Sequence, residues 1–332
     1  MPTESEIIRF IRSRARPTAG VVLGIGDDAA VLKVAEGKEV LACCDLLVEG
    51  VHFRREWCEP QLIGRKALAV NLSDIAAMGG VPKYAMASVA LPGGSPREYI
   101  QSLFDGMLQL AETSGVALVG GDTSRSPGPI FIDVSVIGEC ATGHAITRSG
   151  ARNGDLIFVT GMLGGSALGL RLLEQGLRPG DSRLSEAAKE AITRQLSPEP
   201  RLKLGGLLSA ERMATAMIDI SDGLSTDLGH IAEESRCGAL IHAGSIPIAD
   251  CVTTTARQEG GIEPLDLALH GGEEYELLFT SGRDNEQRIL RLSGETGAKI
   301  TVIGEITTGS GLSIERGGEI QPLVAEGYQH SV

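Results

Sequence analysis

A recurring feature of this sequence is an aspartate at the end of an apolar run or on the apolar face of a helix. Carboxylate oxygens are hard ligands, which favour Mg²⁺ or a similar cation. Mg²⁺ binds a few carboxylates and completes its coordination sphere with water and substrate phosphates. The pattern therefore predicts a site where metal ions hold a phosphorylated ligand. The aspartates concerned are Asp27, Asp28, Asp45, Asp74, Asp122, Asp219 and Asp222.

The first two of these carboxylates are adjacent in a glycine-containing turn. Asp27 and Asp28 follow Gly24 and Gly26. Adjacent like charges repel, so a half-buried pair needs a compensating cation. An ordinary hairpin turn, in which Asp and Gly are common, explains the same residues. The glycine spacing also fits a dinucleotide-binding fingerprint, but that fingerprint needs a following helix, and Ala29–Val34 is typical of a strand.

A predicted helix carries another informative carboxylate. Pro60 can start this helix and Gly79 can end it. Ile63, Val70 and Asp74 share one of its faces, which is otherwise apolar. An aspartate on such a face costs free energy unless it is paired or bound to a metal. We therefore expect Asp74 to have a partner, either a cation or a side chain.

Two further aspartates are associated with predicted strands of the first half. Val40–Asp45 is typical of a strand that ends in a carboxylate, and a loop containing His52 follows it. Val116–Val119 is typical of a short buried strand that leads through two glycines to Asp122. Taken alone, His52 is explained by an ordinary loop position. The repeated association of strand and carboxylate is more specific than either residue.

The second half shows the same association. Ala214–Ile218 predicts a strand that runs directly into Asp219, and Asp222 follows three residues later. Ser221 and Asp222 can serve as helix N-caps, because their side chains accept hydrogen bonds from unpaired amides. Asp219 still belongs to the apolar strand and has no such explanation. A second turn of glycines and acids occupies residues 271–276.

Composition limits the class of ligand. The 332 residues include 30 basic and 43 acidic ones, giving a formal net charge of −13 at pH 7. This balance, without a Lys/Arg-rich tract, argues against nucleic acid and anionic membranes as partners. An anionic ligand would therefore need metal ions to bridge it to the protein. The length indicates about two domains, with a boundary in Ala141–Asp155, a segment that contains Arg148.

The cysteines and the remaining motifs narrow the alternatives. None of the six cysteines forms a C-x-x-C pair, which is typical of a reduced, cytoplasmic protein. The sequence shows no signal-peptide stretch and no run of transmembrane length. It also lacks a P-loop, a G-x-S-x-G nucleophile elbow, an H-E-x-x-H zinc motif and a kinase catalytic loop. The carboxylates remain the main chemical signal.

Five motifs follow one another along nearly the whole chain: Gly24–Leu32, Asn71–Gly79, Gly120–Thr123, Asp219–Leu224 and Gly271–Leu277. Together they resemble the thiamine-monophosphate kinase family, a branch of the aminoimidazole ribotide synthetase-like ATP-binding proteins. The resemblance implies an α/β (α+β) fold of two domains. Residues 1–140 would form a mixed-sheet domain that binds metal and ATP and dimerises across its sheet. Residues 141–332 would form an α+β domain that completes the active site.

The resemblance also implies a reaction and roles for individual residues. The γ-phosphoryl group of ATP would pass to thiamine monophosphate with the help of several Mg²⁺ ions. The acceptor oxygen is already anionic at neutral pH, so no general base is expected. The implied metal ligands are Asp28, Asp45, Asp74, Asp122, Asp219 and Asp222. The implied ATP contacts are Gly121, Asp122, Arg148 and Ser221, with Arg148 as a charge clamp, and the implied thiamine-phosphate contacts are His52, Glu273 and Tyr328.

One position departs from the family pattern. Cys43 and Cys44 precede Asp45, where family members often carry Ser-Thr. A thiol is a poor Mg²⁺ ligand, so the metal contact implied at Cys43 is in question. The backbone carbonyl of Cys44 can still serve as a ligand.

Related activities remain alternatives at this point. Selenophosphate synthetase needs a reactive cysteine or selenocysteine in an N-terminal loop, and no cysteine precedes Cys43. The hydrogenase-maturation relative needs a C-terminal cysteine, whereas the last residue here is Val332. Aminoimidazole ribotide synthetase matches the surroundings of His52 and Glu273 less well. A non-catalytic protein that binds metal and nucleotide is an alternative of a different class.

Overall fold

The computed structural model describes residues 10–16, 20–23, 31–259 and 261–328. Asp28 and its neighbour Asp27 lie outside these ranges, so the turn that contains them stays a prediction. Within the described ranges no helix is long and apolar enough to cross a membrane. The chain divides into two compact units, each of which has its own sheet.

The first unit, residues 1–75 and 80–143, contains a four-stranded mixed sheet. Its elements are β1 (Val21–Leu23), β2 (Val31–Leu32), β3 (Lys38–Val48), α1 (Pro60–Ala77), β4 (Val81–Pro92), α2 (Arg97–Thr113), β5 (Ala117–Ser126) and β6 (Phe131–Ala141). The strand order is β3-β6-β4-β5, and only the pair β4–β5 is parallel. Strands β1 and β2 form a separate antiparallel pair.

Buried and more exposed residues alternate along the strands, so the two faces of this sheet differ. On β6, Ile132, Val134 and Val136 are fully buried, whereas the residues between them are half-buried. On β3 the same period of two leaves Val40 and Leu46 about half exposed, at 51% and 49%. One face therefore belongs to the core and the other carries accessible apolar side chains.

Glycines let α1 and α2 approach each other backbone to backbone. A Cβ atom at Gly64 would lie 1.8 Å from the carbonyl oxygen of Leu103. A Cβ atom at Gly106 would lie equally close, 1.8 Å, to the carbonyl oxygen of Gln61. Any side chain at either glycine would force the two helices apart.

The second unit, residues 76–79 and 144–332, contains a seven-stranded mixed sheet. Its elements are β7 (Leu156–Thr160), α3 (Gly165–Glu174), α4 (Glu186–Leu196), α5 (Leu202–Ala210), β8 (Ala216–Asp219), α6 (Leu224–Ser235), β9 (Gly238–His242), α7 (Asp250–Glu259), α8 (Pro264–His270), β10 (Leu277–Ser281), α9 (Glu286–Thr296), β11 (Ile300–Thr307), β12 (Gly311–Arg316) and β13 (Glu319–Leu323). The strand order is β13-β12-β9-β11-β7-β10-β8, and β9–β12 is its parallel pair.

Both faces of the central strands of this second sheet are buried. Every residue of β7 is buried, which explains why its sequence is continuously apolar rather than alternating. Ile157 and Val159 belong to the core on one face, and Leu156 and Phe158 to the core on the other. The Phe158 ring stacks on that of Phe279, with centroids 5.0 Å apart. Helices on each face thus hold the central strands rigidly.

Two predicted strand boundaries are wrong. Strand β5 continues through the glycines, so Asp122 lies inside the strand and not after it. Strand β3 likewise continues beyond Asp45 to Val48. In both cases pairing with a neighbouring strand supplies hydrogen bonds that local sequence does not reveal.

Candidate functional site

Strand β3 and helix α1 bring Asp45 and Asp74 together in the first unit. Their carboxyl groups are hydrogen-bonded to each other, which two carboxyl groups can do only when one carries a proton. Burial raises the pKa of Asp45, the hydrogen bond to Asp74 lowers it, and the charge of Asp133 raises it. A cation can replace the shared proton, so this pair fits a metal ion.

Asn71, which is fully buried on α1, holds Asp45 from the open edge of the sheet. Its Oδ1 accepts a hydrogen bond from the Asp45 N–H at 3.1 Å, and its Nδ2 donates to the Ala67 carbonyl at 3.1 Å. The Cys43 thiol donates to the Asn71 carbonyl oxygen at 3.4 Å. Burial, followed by the charges of Asp74 and Asp45, raises the pKa of this thiol well above its usual range. Cys43 therefore stays protonated beside the carboxyl pair.

Asp122 lies on β5, at the opposite edge of the sheet from β3. The register places Asp133 opposite Leu46, Ser88 opposite Asp133, and Asp122 opposite Ser88. Directly paired residues share a face, so Asp122 and Asp133 lie on the same side of the sheet. Cys44 reaches this row, since its Sγ donates to Asp133 Oδ2 at 3.1 Å. The strand order thus separates Asp122 from Asp45 within the sheet.

Asp133 is a candidate residue that the sequence reasoning missed. It lies on β6 between buried apolar residues, where a polar side chain is ordinary for the second face of a strand. Its charge acts on Asp45 of the neighbouring strand. The interaction depends on pairing between distant segments, so local pattern gave no signal for it.

His52 lies in the turn that follows β3. Its Nδ1 accepts a hydrogen bond from the Val48 N–H at 3.0 Å, and its own backbone N–H donates to the Val48 carbonyl at 3.0 Å. Because Nδ1 is an acceptor, the neutral ring carries its proton on Nε2. The half-buried ring is therefore held in one orientation by the Val48 N–H.

In the second unit, the end of β8 meets the acidic loop that precedes β10. Asp219 is buried as the last residue of β8 and pairs with Leu277. Beyond it, Ser221 accepts a hydrogen bond from the Glu273 N–H at 2.7 Å through its carbonyl oxygen. Ile220 continues the pairing by accepting from the Tyr275 N–H at 2.9 Å. These backbone bonds place the two glycine- and acid-containing segments side by side.

Two residues of the C-terminal segment, Gly327 and Tyr328, form hydrogen bonds with the Asp222 turn and the helix that follows it. The Tyr328 N–H donates to the Asp222 carbonyl at 3.0 Å, and the Gly327 N–H donates to Thr226 Oγ1 at 3.1 Å. A Cβ atom at Gly327 would lie 2.2 Å from the Asp222 carbonyl oxygen, so glycine is required there. The structure thus brings Tyr328 beside Asp222 although 106 positions separate them in the sequence.

Asp227, in the first turn of α6, stabilises the turn that contains Asp222 through hydrogen bonds to its backbone. Its Oδ2 accepts hydrogen bonds from the N–H groups of Asp222 and Gly223, at 3.2 and 3.0 Å. Burial, then the charges of Asp219 and Asp222, raise the pKa of Asp227 to about 8. His230 completes a group with Asp222 and Asp227 whose possible ligand atoms lie within 4.8 Å of one another. Gly223 is the N-cap residue of α6, so the alternative explanation of Ser221 and Asp222 as N-caps does not apply.

The side chain of Glu273 is anchored to α4. Gln195 Nε2 donates to Glu273 Oε2, and Gln195 Oε1 accepts a hydrogen bond from the Ser166 hydroxyl of α3. The Ser166 N–H donates to Glu274 Oε1 at 3.1 Å. Burial raises the pKa of Glu274 to about 8. The sequence analysis missed Gln195 and Ser166, which lie on helices far from the acidic loop in sequence.

Arg148 lies along the outer edge of β8. The preceding residue, Thr147, accepts a hydrogen bond from the Met217 N–H at 3.0 Å through its carbonyl oxygen. The carbonyl of Arg148 itself accepts from the Ser235 hydroxyl at 3.3 Å. Met217 stands two residues before Asp219, so the exposed Arg148 lies beside the strand that leads to the acidic turn.

Comparison with known proteins places the chain in a family. Residues 26–140 match the model of the AIR synthase related protein, N-terminal domain, and residues 152–317 match that of the C-terminal domain. Thiamine-monophosphate kinase of Escherichia coli (strain K12) is 39% identical over 327 residues, covering 98% of this chain and 97% of the relative.

Solved structures agree with these sequence matches. The crystal structure of thiamine-monophosphate kinase from Stenotrophomonas maltophilia K279a is 38% identical, with a TM-score of 0.85 over 93% of this chain and 95% of that one. The structure of AaThiL complexed with AMPPCP and TMP is 32% identical, with a TM-score of 0.79 over 90% of this chain and 89% of that one. On these matches, the chain belongs to the thiamine-monophosphate kinase family of AIR synthase related proteins.

Proposed function

We propose that this chain transfers the γ-phosphoryl group of ATP to thiamine monophosphate, forming thiamine diphosphate and ADP. The observation that carries the proposal is the pair of acidic groupings: hydrogen-bonded Asp45 and Asp74 in the first unit, and Asp219 with Asp222 at the end of β8 in the second. The family relationship supports the same reaction, because a related structure is described as a complex with AMPPCP and TMP.

The donor set fits Mg²⁺. Asp45 and Asp74 offer carboxylate oxygens, and the thiol of Cys43 beside them stays protonated. Oxygen donors of this kind favour Mg²⁺ over softer metals. When bound, Mg²⁺ would neutralise phosphate charge and hold the reacting groups in line. We assign the ligands of several such ions to Asp28, Asp45, the carbonyl of Cys44, Asp74, Asp122, Asp219 and Asp222.

The remaining residues bind and orient the two substrates. We assign ATP contacts to Gly121, Asp122, Ser221 and Arg148, whose fixed charge can stabilise the phosphates. We assign thiamine-phosphate contacts to His52, Glu273 and Tyr328. The acceptor phosphate oxygen is already ionised, so positioning and charge neutralisation lower the barrier without a general base.

We further propose that the chain forms a homodimer through the second face of the first sheet. Val40 and Val81 lie in one row of this face, each paired with Glu139, and both are 51% exposed. Leu46 adds a 49% exposed side chain farther along β3. Accessible apolar side chains grouped on a flat sheet mark an association surface. We place the dimer in the cytoplasm, in keeping with six free cysteines.

A coupled assay tests the proposed reaction. The purified chain should release ADP from Mg-ATP only when thiamine monophosphate is present, with thiamine diphosphate formed in equal amount. Chelation of divalent ions should stop both. Turnover with formylglycinamidine ribotide and none with thiamine monophosphate would assign the chain to aminoimidazole ribotide synthetase activity instead.

A further inference from the structure

A buried glutamine connects the acidic loop to the helices behind it. Gln195, near the end of α4, is only 1% exposed. Its amide N–H donates to Glu273 Oε2, and its amide oxygen accepts from the Ser166 hydroxyl. Ser166 is also fully buried. Burying two polar side chains is favourable only when their hydrogen bonds are satisfied, and this chain of bonds satisfies both.

The hydrogen-bond pattern fixes which way the glutamine amide points. An ionised carboxylate can only accept hydrogen bonds, so the NH₂ group of Gln195 must face Glu273. The amide oxygen then faces Ser166, whose hydroxyl can donate. Rotating the amide by half a turn would set its oxygen against the carboxylate. Ser166 therefore holds Gln195 in its donating orientation.

The backbone of Glu273 is held as firmly as its side chain. Glu273 has a left-handed conformation, with φ of +60°, which costs free energy for a residue other than glycine. Its N–H donates to the Ser221 carbonyl at 2.7 Å. The backbone bond fixes the Cα position, and Gln195 then selects one rotamer for the carboxylate.

A glutamine anchors a carboxylate without cancelling its charge. An arginine or lysine at this position would form an ion pair and compete with any cation brought by a ligand. The neutral amide of Gln195 adds no positive charge beside Glu273. Such an arrangement suits recognition of a cationic heterocycle, and thiamine carries a positively charged thiazolium ring.

We propose that Gln195 is a positioning residue for substrate specificity, which acts by orienting Glu273 toward the cationic part of thiamine monophosphate. The inference rests on the proposed function, because it requires Glu273 to contact that substrate. The side chain of Gln195 lies behind Glu273, and its described hydrogen bonds go to Glu273 and Ser166, neither of which we assign to ATP or metal. Its loss should therefore weaken one substrate selectively.

The Gln195→Met variant tests this, because methionine has nearly the same length and volume but no amide donor. We expect the KM for thiamine monophosphate, and its Kd by calorimetry, to rise about tenfold, equivalent to about 1.4 kcal/mol. The KM for ATP and kcat should stay within about twofold. The matched control is Gln287→Met, since Gln287 is exposed on α9. This variant should leave both the KM and the Kd for thiamine monophosphate unchanged.

A double-mutant cycle separates positioning from a merely structural role. If Gln195 acts through Glu273, Gln195→Met should have less than a twofold effect on Kd when introduced into Glu273→Gln. An undiminished effect in that background, or an unchanged Kd in the single variant, would overturn the inference. Should Gln195→Met fold poorly, Ser166→Ala offers a second route, with an expected rise in Kd of about threefold and the same cycle. Absence of turnover by the unmodified chain would reject the proposed function itself.

Discussion

Replacing Asp74 by asparagine tests the metal assignment, because it should have opposite effects on stability and on activity. The Asp45 and Asp74 carboxyl groups are in hydrogen-bond contact and both are half-buried. Once the shared proton is lost, two negative charges about 4 Å apart repel by about 1 kcal/mol in water and about 4 kcal/mol at an effective dielectric constant of 20. For a half-buried pair we expect a cost of about 2 kcal/mol.

Burial, the largest cause, raises the pKa of Asp45, so the contribution of this carboxyl group to stability also depends on pH. A carboxyl group with a higher pKa in the folded state binds its proton more tightly there than in the unfolded chain. Its contribution to stability is present at low pH and is lost as the pH rises above the ordinary value of 3.8. Without metal, Asp74→Asn should unfold at a higher temperature than the unmodified protein at pH 8, because the asparagine removes one of the two negative charges. An amide at position 74 can also donate a hydrogen bond to the Asp45 carboxylate.

Addition of Mg²⁺ should make the unmodified protein more stable than Asp74→Asn. A ligand at 100 times its Kd stabilises the folded state by about 2.7 kcal/mol, and the variant should lose most of this gain. Its kcat should fall by about a hundredfold or more. The assay is thermal unfolding at pH 8 with and without Mg²⁺, beside the coupled ADP assay. Asp284→Asn, an exposed position, controls for the change in net charge.

Two outcomes would refute this reasoning. If Asp74→Asn kept the full Mg²⁺-dependent rise in Tm and near-normal kcat, Asp74 would not be a metal ligand. If the variant were less stable than the unmodified protein without metal, the carboxyl pair would not carry a repulsive cost. Either result would remove the basis for a metal ion at this pair.

The other predictions concern three separate features. Cys43→Ser replaces the protonated thiol by a hard oxygen, so the Mg²⁺ concentration for half-maximal activity should fall about threefold in a metal titration. Glu274→Gln should make unfolding less pH-dependent, since the raised pKa of Glu274, about 8, withdraws stability as the pH rises from 4.5 through 8; parallel Tm-against-pH curves would contradict this. Leu46→Glu should convert a dimer to a monomer in light scattering, whereas the exposed Leu290→Glu should not.

Sequence reasoning succeeded where chemistry was encoded locally. Helix α1 begins at Pro60 as predicted and ends at Ala77, two residues before Gly79, whose φ of +69° no helix can continue. The sequence singled out Asp74 because a charge on an apolar helical face costs free energy, and the structure places Asp45 next to it. A metal ion at this pair stays a prediction.

The features that sequence reasoning missed all depend on contacts between distant segments. Asp133 acts on Asp45 only because β6 pairs with β3. Gln195 and Ser166 looked like ordinary helical residues until the fold set them behind Glu273. No local sequence pattern distinguishes a buried glutamine that orients another side chain from one that only fills space in the core.

The close crossing of α1 and α2 links residues without chemistry to the geometry of the carboxyl pair. Gly64 lies ten residues before Asp74 on the same helix, about 15 Å along its axis. A straight helix behaves as a stiff rod, so widening the crossing by one methyl group tilts the far end as well. The lack of side chains at Gly64 and Gly106 therefore helps to set the distance between the Asp45 and Asp74 carboxyl groups.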